Sequence, residues 1–89
     1  MDFEWDEAKR LRAIEERGLD FRDARYLFDG RPIYSYPSPR GDEDRIVSVG
    51  PVEERLIAVV WVERNGTCRI ISMRRARDAE KRRFRALYG

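Results

Sequence analysis

The sequence predicts an α+β domain with two N-terminal helices, a four-stranded antiparallel meander and a C-terminal helix. First, 89 residues of which 42% are hydrophobic supply one core and not two, so residues 1–89 form a single domain. Second, the apolar spacing changes from helical to extended after Pro32. Third, Asn65-Gly66 is a strong hairpin signal, because both residues tolerate the positive φ of a type I′ turn.

Two helices are predicted before the sheet. Asp6 can cap the first helix, and Gly18 ends it. Its apolar residues share one face and are predicted to meet the core: Ala8, Leu11 and Ile14. Asp20 caps a second, short helix that ends at 29–32. The apolar stripe of this second helix comprises Phe21, Ala24, Leu27 and Phe28.

The strands follow in the order Ile33–Tyr36, Arg45–Val49, Arg55–Arg64 and Thr67–Met73, with a polar loop at 40–43 and a turn at 50–54. The third strand is the longest and most apolar, which favours the centre of the sheet. The two-residue turn pairs Arg64 with Thr67 and Glu63 with Cys68. A regular hairpin then puts Val60, Val62, Arg64, Arg69, Ile71 and Met73 on one face. The other face carries Ile57, Val59, Trp61, Glu63, Cys68, Ile70, Ser72 and Arg74.

The last predicted helix runs from about Asp78 to Tyr88 and concentrates the basic charge. Residues 74–89 hold seven Lys and Arg against two acidic residues, a balance of +5, whereas residues 1–73 hold 12 against 15, a balance of −3. The arginines are predicted to point outward, and the core-facing residues are Ala79, Phe84, Leu87 and Tyr88. Such a surface suits phosphates or an acidic partner, and a merely solvated helix face is the alternative.

Composition excludes several classes of function. The chain has no histidine and one cysteine, so we expect no transition-metal site, no cofactor and no internal disulfide. Ser-His and Cys-His nucleophile pairs are excluded too, which leaves Glu, Asp, Lys, Arg and Tyr for any catalysis. The longest apolar run, Leu56–Val62, is far shorter than a bilayer span. We therefore expect a soluble, cytoplasmic protein without a membrane partner.

Four segments together resemble the BrnT family, the toxins of BrnT/BrnA type II toxin–antitoxin modules. They are FEWDEAKR at 3–10, GLDF at 18–21, EDRIVSVG at 43–50 and RIISMRRA at 69–76. The resemblance implies a RelE-like fold and an endoribonuclease that cleaves RNA without a metal and inhibits translation. It also implies a BrnA-like antitoxin as partner, with operator DNA bound only through that antitoxin.

The chain departs from the family pattern at its histidines. Where the family commonly has Lys-His-Gly at the end of the first helix, this chain has Glu16-Arg17-Gly18. The family's His-Ser is also missing from the loop near Arg40. Neither histidine can be essential if this protein cleaves RNA. The alternative is a non-catalytic, toxin-like module that still binds an antitoxin and its repressor complex.

The residues predicted to act in catalysis are Arg74, Arg64, Glu63, Arg45 and Lys9. Cleavage by 2′-hydroxyl attack needs a base, a group that stabilises the phosphorane and an acid for the leaving oxygen. Arg74, which ends the RIISMR segment, is suited to hold phosphate, or else forms an ion pair with Asp6, Glu7 or Glu80.

The other four candidates also keep alternatives. Arg45 and Arg64 contact phosphate or bridge to carboxylates. Glu63 is a base or a solvated edge residue, and Lys9 is an acid, a phosphate clamp or a surface ion pair. The residues predicted to bind RNA without acting in the chemistry are Arg75, Arg82, Arg83 and Arg85.

Overall fold

The computed structural model describes residues 1–40 and 44–89. Most of the polar loop predicted at 40–43 therefore lies outside the described residues. The strands are β1 (Asp2–Trp5), β2 (Tyr34–Pro37), β3 (Ile46–Val52), β4 (Arg55–Arg64) and β5 (Thr67–Arg75). The helices are α1 (Glu7–Arg17), a 3₁₀ helix (Phe21–Phe28) and α2 (Asp78–Tyr88).

The prediction of a four-stranded antiparallel meander is wrong, because the chain forms a five-stranded mixed sheet in the order β1-β5-β4-β3-β2. Strands β2 to β5 are antiparallel neighbours in chain order within this larger sheet. The additional strand β1 lies before the first helix and pairs in parallel with β5, with Asp2 beside Thr67. The paired residues lie 65 positions apart in the sequence, so no local turn signal predicts the pairing.

The caps of α1 are those that the sequence predicts, but its apolar face is not. Asp6 accepts a hydrogen bond from the Lys9 backbone N–H at 3.2 Å, and Gly18 ends the helix at φ 66°. Ala13 is the only buried residue of the helix, while Leu11 is 54% exposed. The predicted core face was therefore wrong, since α1 packs mainly against β5 and presents its 9-12-13-16 side there.

A β-bulge changes which face of the sheet the end of β5 presents. Glu63 pairs with Cys68 as predicted, but the register shifts between Val60 and Trp61. Ile71 is consequently left without a partner, and Arg74 pairs with Ala58. Met73 moves into the main core and Arg74 to the opposite face. The predicted faces for residues beyond the bulge were wrong because they assumed a regular hairpin.

The two faces of the sheet are covered differently. The 3₁₀ helix buries Phe21, Ala24 and Leu27 in the main core. Its approach is so close that a Cβ added at Gly50 would lie 2.7 Å from Leu27 Cδ2. A smaller cluster of Val47, Val49, Ala58 and Ala76 lies on the side where α2 packs against β2 and β3.

The range predicted for α2 is correct, but part of its predicted apolar face is wrong. Ala79 is exposed and Leu87 is 59% exposed, while Phe84 is half-buried and packs on the Tyr88 ring. The only buried residue of this helix is Glu80. Glu80 attaches α2 to the sheet through its polar contacts with Tyr36 of β2 and Arg74 of β5.

Candidate functional site

An open cleft of about 670 Å³ lies between α1 and the bulged part of the sheet. The wall formed by α1 and the start of the 3₁₀ helix consists of Lys9, Arg12, Ala13, Glu16, Arg17 and Phe21. The sheet contributes Tyr36, Arg45, Val47, Val60, Ile71, Ser72 and Arg74. The remaining lining residues are Ser38, Pro39, Arg40 and Arg77.

Helical spacing explains how α1 forms one wall. Positions 12, 13 and 16 lie three, four and seven residues after position 9, so all four lie on one face of the helix. Ala13 is buried at the contact with the rest of the protein, while Lys9, Arg12 and Glu16 remain exposed. Arg17 donates a hydrogen bond from Nη1 to the carbonyl oxygen of Met73 at 2.9 Å, which attaches the end of α1 to β5.

The floor of the cleft is the part of the sheet that surrounds the bulge. Ile71 and Ser72 enter it because the extra residue changes the direction of β5. Arg45, directly before β3, brings a guanidinium to the same place. Its Nε is buried and has no hydrogen-bond partner among the described residues. A buried donor without a partner is costly, which marks Arg45 as a candidate for binding an anion.

The end of the cleft nearest α2 is closed by a partly buried polar cluster around the buried Glu80, the Arg74–Glu80–Tyr36 cluster. Arg74 binds Glu80 through both terminal nitrogens, at 2.7 and 3.0 Å, and the Tyr36 hydroxyl donates to the same carboxylate at 2.5 Å. The Arg77 backbone N–H donates to it as well, at 2.8 Å, as the first turn of α2 begins. The ion pair between Arg74 and Glu80, one alternative predicted from the sequence, is therefore present.

The protonation of this cluster follows from its contacts. Burial alone would raise the pKa of Glu80, but hydrogen bonds from Arg74, Arg77 and Tyr36 outweigh it and lower that pKa to about 2. Burial and the neighbouring carboxylate raise the pKa of the Tyr36 hydroxyl. Glu80 is thus ionised, Tyr36 is neutral, and the charge of Arg74 is largely compensated.

The cleft is strongly cationic. Seven Lys and Arg side chains line it, against one carboxylate, Glu16, among the described lining residues. Six of these cations have no ion-pair partner within residues 1–40 and 44–89: Lys9, Arg12, Arg17, Arg40, Arg45 and Arg77. Concave walls focus the field of such charges, so the cleft is suited to an extended polyanion.

The structure brings together only some of the residues predicted from the sequence. Lys9, Arg45 and Arg74 all line the cleft. Glu63 and Arg64 are exposed near the turn end of the hairpin and do not line it. Glu63 is also far from Arg74. Arg74 pairs with Ala58, and Ala58 lies five residues before Glu63 on β4, a distance of about 17 Å along the strand. The predicted RNA-binding residues Arg75, Arg82, Arg83 and Arg85 are exposed outside the cleft.

Sequence reasoning missed Arg12, Glu16, Arg17, Arg40 and Arg77 as cleft residues. A signal was present for those on α1. Counting three, four, seven and eight residues on from Lys9 gives the helix face that the cleft uses. The prediction failed because this charged face of α1, and not the apolar face, lines the cleft.

Other chemically reactive groups lie away from the cleft or in the core. Cys68 is buried, and burial raises the pKa of its thiol to about 12, so it behaves as a small core residue. The indole of Trp61 packs on Phe28 and donates to the buried Ser48 hydroxyl at 2.9 Å. Across residues 1–40 and 44–89, no three Cys, Asp or Glu side chains are grouped to hold a metal ion. No helix among them is long and apolar enough to cross a membrane.

The fold and the cleft define a small α+β protein with one concave, strongly basic cleft among its described residues. The sequence model of the family described as ribonuclease toxin, BrnT, of type II toxin–antitoxin system matches residues 5–80. Because the match covers most of the chain, this protein belongs to the BrnT family, and the predicted family resemblance is confirmed. A search of curated proteins finds no match.

Proposed function

We propose that this chain is an endoribonuclease toxin that binds RNA in the cleft between α1 and the sheet, in the cytoplasm, and thereby inhibits translation. The observation that carries the proposal is the concentration of cations without ion-pair partners, among the described residues, in one cleft of a ribonuclease-toxin family member. Single-stranded RNA carries one phosphate per nucleotide and binds grooves in which cations follow its backbone.

The proposed reaction is attack of a 2′-hydroxyl on the adjacent phosphate without a metal ion. Arg45, whose Nε has no partner among the described residues, and Arg12 on the facing wall bind the phosphate and stabilise charge on the phosphorane. Lys9 is the amine of the cleft, and its ammonium group can protonate the leaving 5′-oxygen. Arg74, whose charge is largely compensated by Glu80, contributes a weaker positive potential. Its ion pair with Glu80 holds the end of the cleft in place.

The predicted residues outside the cleft have more distant roles in this proposal. Arg75, Arg82, Arg83 and Arg85 attract RNA over a longer range, because they are exposed and do not line the cleft. Glu63 and Arg64 can act only on an RNA that extends along the hairpin as far as the turn at 65–66. Their catalytic roles stay predictions.

The partner implied by a type II toxin–antitoxin family is an antitoxin protein. We propose that a BrnA-like antitoxin inhibits the toxin by placing an acidic segment over the cleft, since the charges that bind phosphate also bind carboxylates. Operator DNA is then reached only through the antitoxin. RNA and antitoxin should therefore compete for the free toxin.

The direct test is to incubate the purified protein with RNA in excess EDTA and to analyse the product ends. We expect cleavage that leaves a 2′,3′-cyclic phosphate and a 5′-hydroxyl, with no loss of rate from the chelator. Cleavage that stops in EDTA would contradict the metal-independent reaction. No cleavage in any buffer, together with intact antitoxin binding, would establish the alternative, a non-catalytic toxin-like module.

A further inference from the structure

We infer that Glu16 is the general base that accepts the proton of the attacking 2′-hydroxyl, an inference that rests on the proposed RNA cleavage. Glu16 is the only carboxylate among the described residues that line the cleft. The inference differs from the sequence prediction that Glu63 is the base.

The chemistry of the cleft lining leaves few alternatives. The chain has no histidine, and the Arg and Lys side chains that line the cleft are protonated at neutral pH. The Tyr36 hydroxyl donates to Glu80, and burial raises its pKa, so it holds its proton. Among the described lining residues, a carboxylate is the group able to accept a proton at neutral pH.

The position of Glu16 on α1 also fits a base. Lys9 and Glu16 lie on the same helix face, seven residues apart, which is about 10 Å along the helix axis. Arg12 lies between them and faces the same cleft. A phosphate held by Arg12 would thus have a carboxylate on one side and an ammonium group on the other. Glu16 forms no ion pair within the part of the chain that the structure describes, so its carboxylate is available.

The proposed step is balanced in atoms and charge. The Glu16 carboxylate takes the proton of the 2′-hydroxyl as the 2′-oxygen forms a bond to phosphorus. The bond from phosphorus to the 5′-oxygen then breaks, and Lys9 gives a proton to that oxygen. The products are a 2′,3′-cyclic phosphate and a free 5′-hydroxyl, with Glu16 protonated and Lys9 neutral until they exchange protons with water.

The experiment compares three glutamine substitutions of nearly equal size in the full chain. Glu16→Gln removes the proposed base, and Glu15→Gln is the matched control, an exposed residue on the same helix that does not line the cleft. Glu63→Gln tests the base predicted from the sequence. The single-turnover rate at saturating RNA is measured in EDTA, and affinity is measured with a 2′-deoxy analogue that cannot react.

We expect Glu16→Gln to lower the saturated rate by about 10²-fold or more, with unchanged analogue affinity and melting temperature. Glu15→Gln should stay within about 2-fold of wild type, and Glu16→Asp should recover part of the lost rate. A loss of rate in Glu63→Gln, with Glu16→Gln fully active, would make Glu63 the base instead. A substrate with a sulfur leaving group at the 5′-position needs no acid. It should therefore restore cleavage by Lys9→Ala but not by Glu16→Gln.

The two levels of the proposal fail in different ways. An active wild type together with a fully active Glu16→Gln would overturn the role of Glu16 and leave the ribonuclease proposal standing. Rescue of Glu16→Gln by the sulfur leaving group would make this residue an acid and not a base. An inactive wild type would overturn the proposed function, and the role of Glu16 with it.

Discussion

Two regions of this protein carry many arginines and use them differently. In the cleft, cations from α1 and from the residues directly before β3 and α2 converge on a concave surface, and the Arg45 Nε is buried without a partner among the described residues. On the outer side of α2, Arg82, Arg83 and Arg85 are exposed. The comparison teaches that the number of charges does not define a site. Convergence and partial burial do, because they concentrate the field that acts on a ligand.

The Arg74–Glu80–Tyr36 cluster joins the two regions. It lies at the end of the cleft, and it is also the only place where α2 buries a residue. Arg74 therefore has two roles: it lines the cleft, and it anchors α2 to the sheet through Glu80. Substitutions can separate the contributions of the Arg74–Glu80–Tyr36 cluster, of the cleft and of the outer face of α2. The largest effect is expected in the cluster, on the stability of the fold.

Removing Arg74 should affect stability most. Arg74→Ala leaves the buried Glu80 carboxylate without its ion-pair partner, for which we expect a loss of about 3–5 kcal/mol in the free energy of unfolding. Urea denaturation measures this loss, and Arg82→Ala is the exposed control, expected within about 0.5 kcal/mol of wild type. An unchanged stability would show that the cluster does not anchor α2. Arg74 would then count with the cations of the cleft.

Acid should weaken the same anchor. The pKa of Glu80 is lowered from 4.5 to about 2, so its contribution to stability is complete above pH 4.5 and is lost as the pH falls through 2. The shift corresponds to a loss on the order of 3 kcal/mol. Urea midpoints between pH 6 and pH 2 should fall less steeply for Glu80→Gln than for wild type. Parallel curves for the two proteins would contradict the assignment.

Within the cleft, Arg45 should matter more for rate than for stability. Arg45→Ala should lower the saturated rate of RNA cleavage by about 10²-fold, because it removes a group proposed to stabilise charge on the phosphorane. The fold should persist, since the Arg45 Nε makes no hydrogen bond to any described residue. The rate is compared with that of Arg69→Ala, a sheet arginine outside the cleft lining. Equal rates for the two variants would remove Arg45 from the site.

The smallest effect is expected on the outer face of α2. Reversing Arg82, Arg83 and Arg85 to Glu should weaken RNA binding while the saturated rate changes little, because these residues do not line the cleft. The slope of log affinity against log salt should fall by up to about 0.7 for each RNA phosphate that the variant no longer binds. Binding is measured across a range of salt concentrations. A lower saturated rate would place this helix in the active site, and an unchanged slope would make these arginines a solvated surface only.

Local signals in the sequence predict the local structure well. Asp6 and Gly18 mark the two ends of α1, and Asn65-Gly66 sets the first residue pairs of the hairpin between β4 and β5. Both were predictable because caps and tight turns depend on neighbouring residues. Strand β1 and the bulge at Ile71 escaped prediction. The first depends on a partner near the other end of the chain, and the second on how the sheet packs.

The candidate site was predictable to a similar extent. Lys9, Arg45 and Arg74 were recognised from the motifs that contain them, and all three line the cleft. Arg12 and Glu16 were missed, because apolar periodicity suggested that the face with Leu11 and Ile14 turns inward. In a chain with so much charge, one charged face of a short helix can line a cleft while apolar residues face solvent.

The most direct test of the cleft as the RNA site is an NMR titration of the labelled protein with a 2′-O-methyl RNA that cannot be cleaved. We predict that the largest amide shifts fall on residues lining the cleft, such as Ala13, Val47 and Ser72. Arg82–Leu87 and the turn at 65–66 should shift less than the residues of the cleft. Shifts confined to the outer side of α2 or to that turn, with the cleft unchanged at saturation, would contradict the assignment of the cleft as the RNA site.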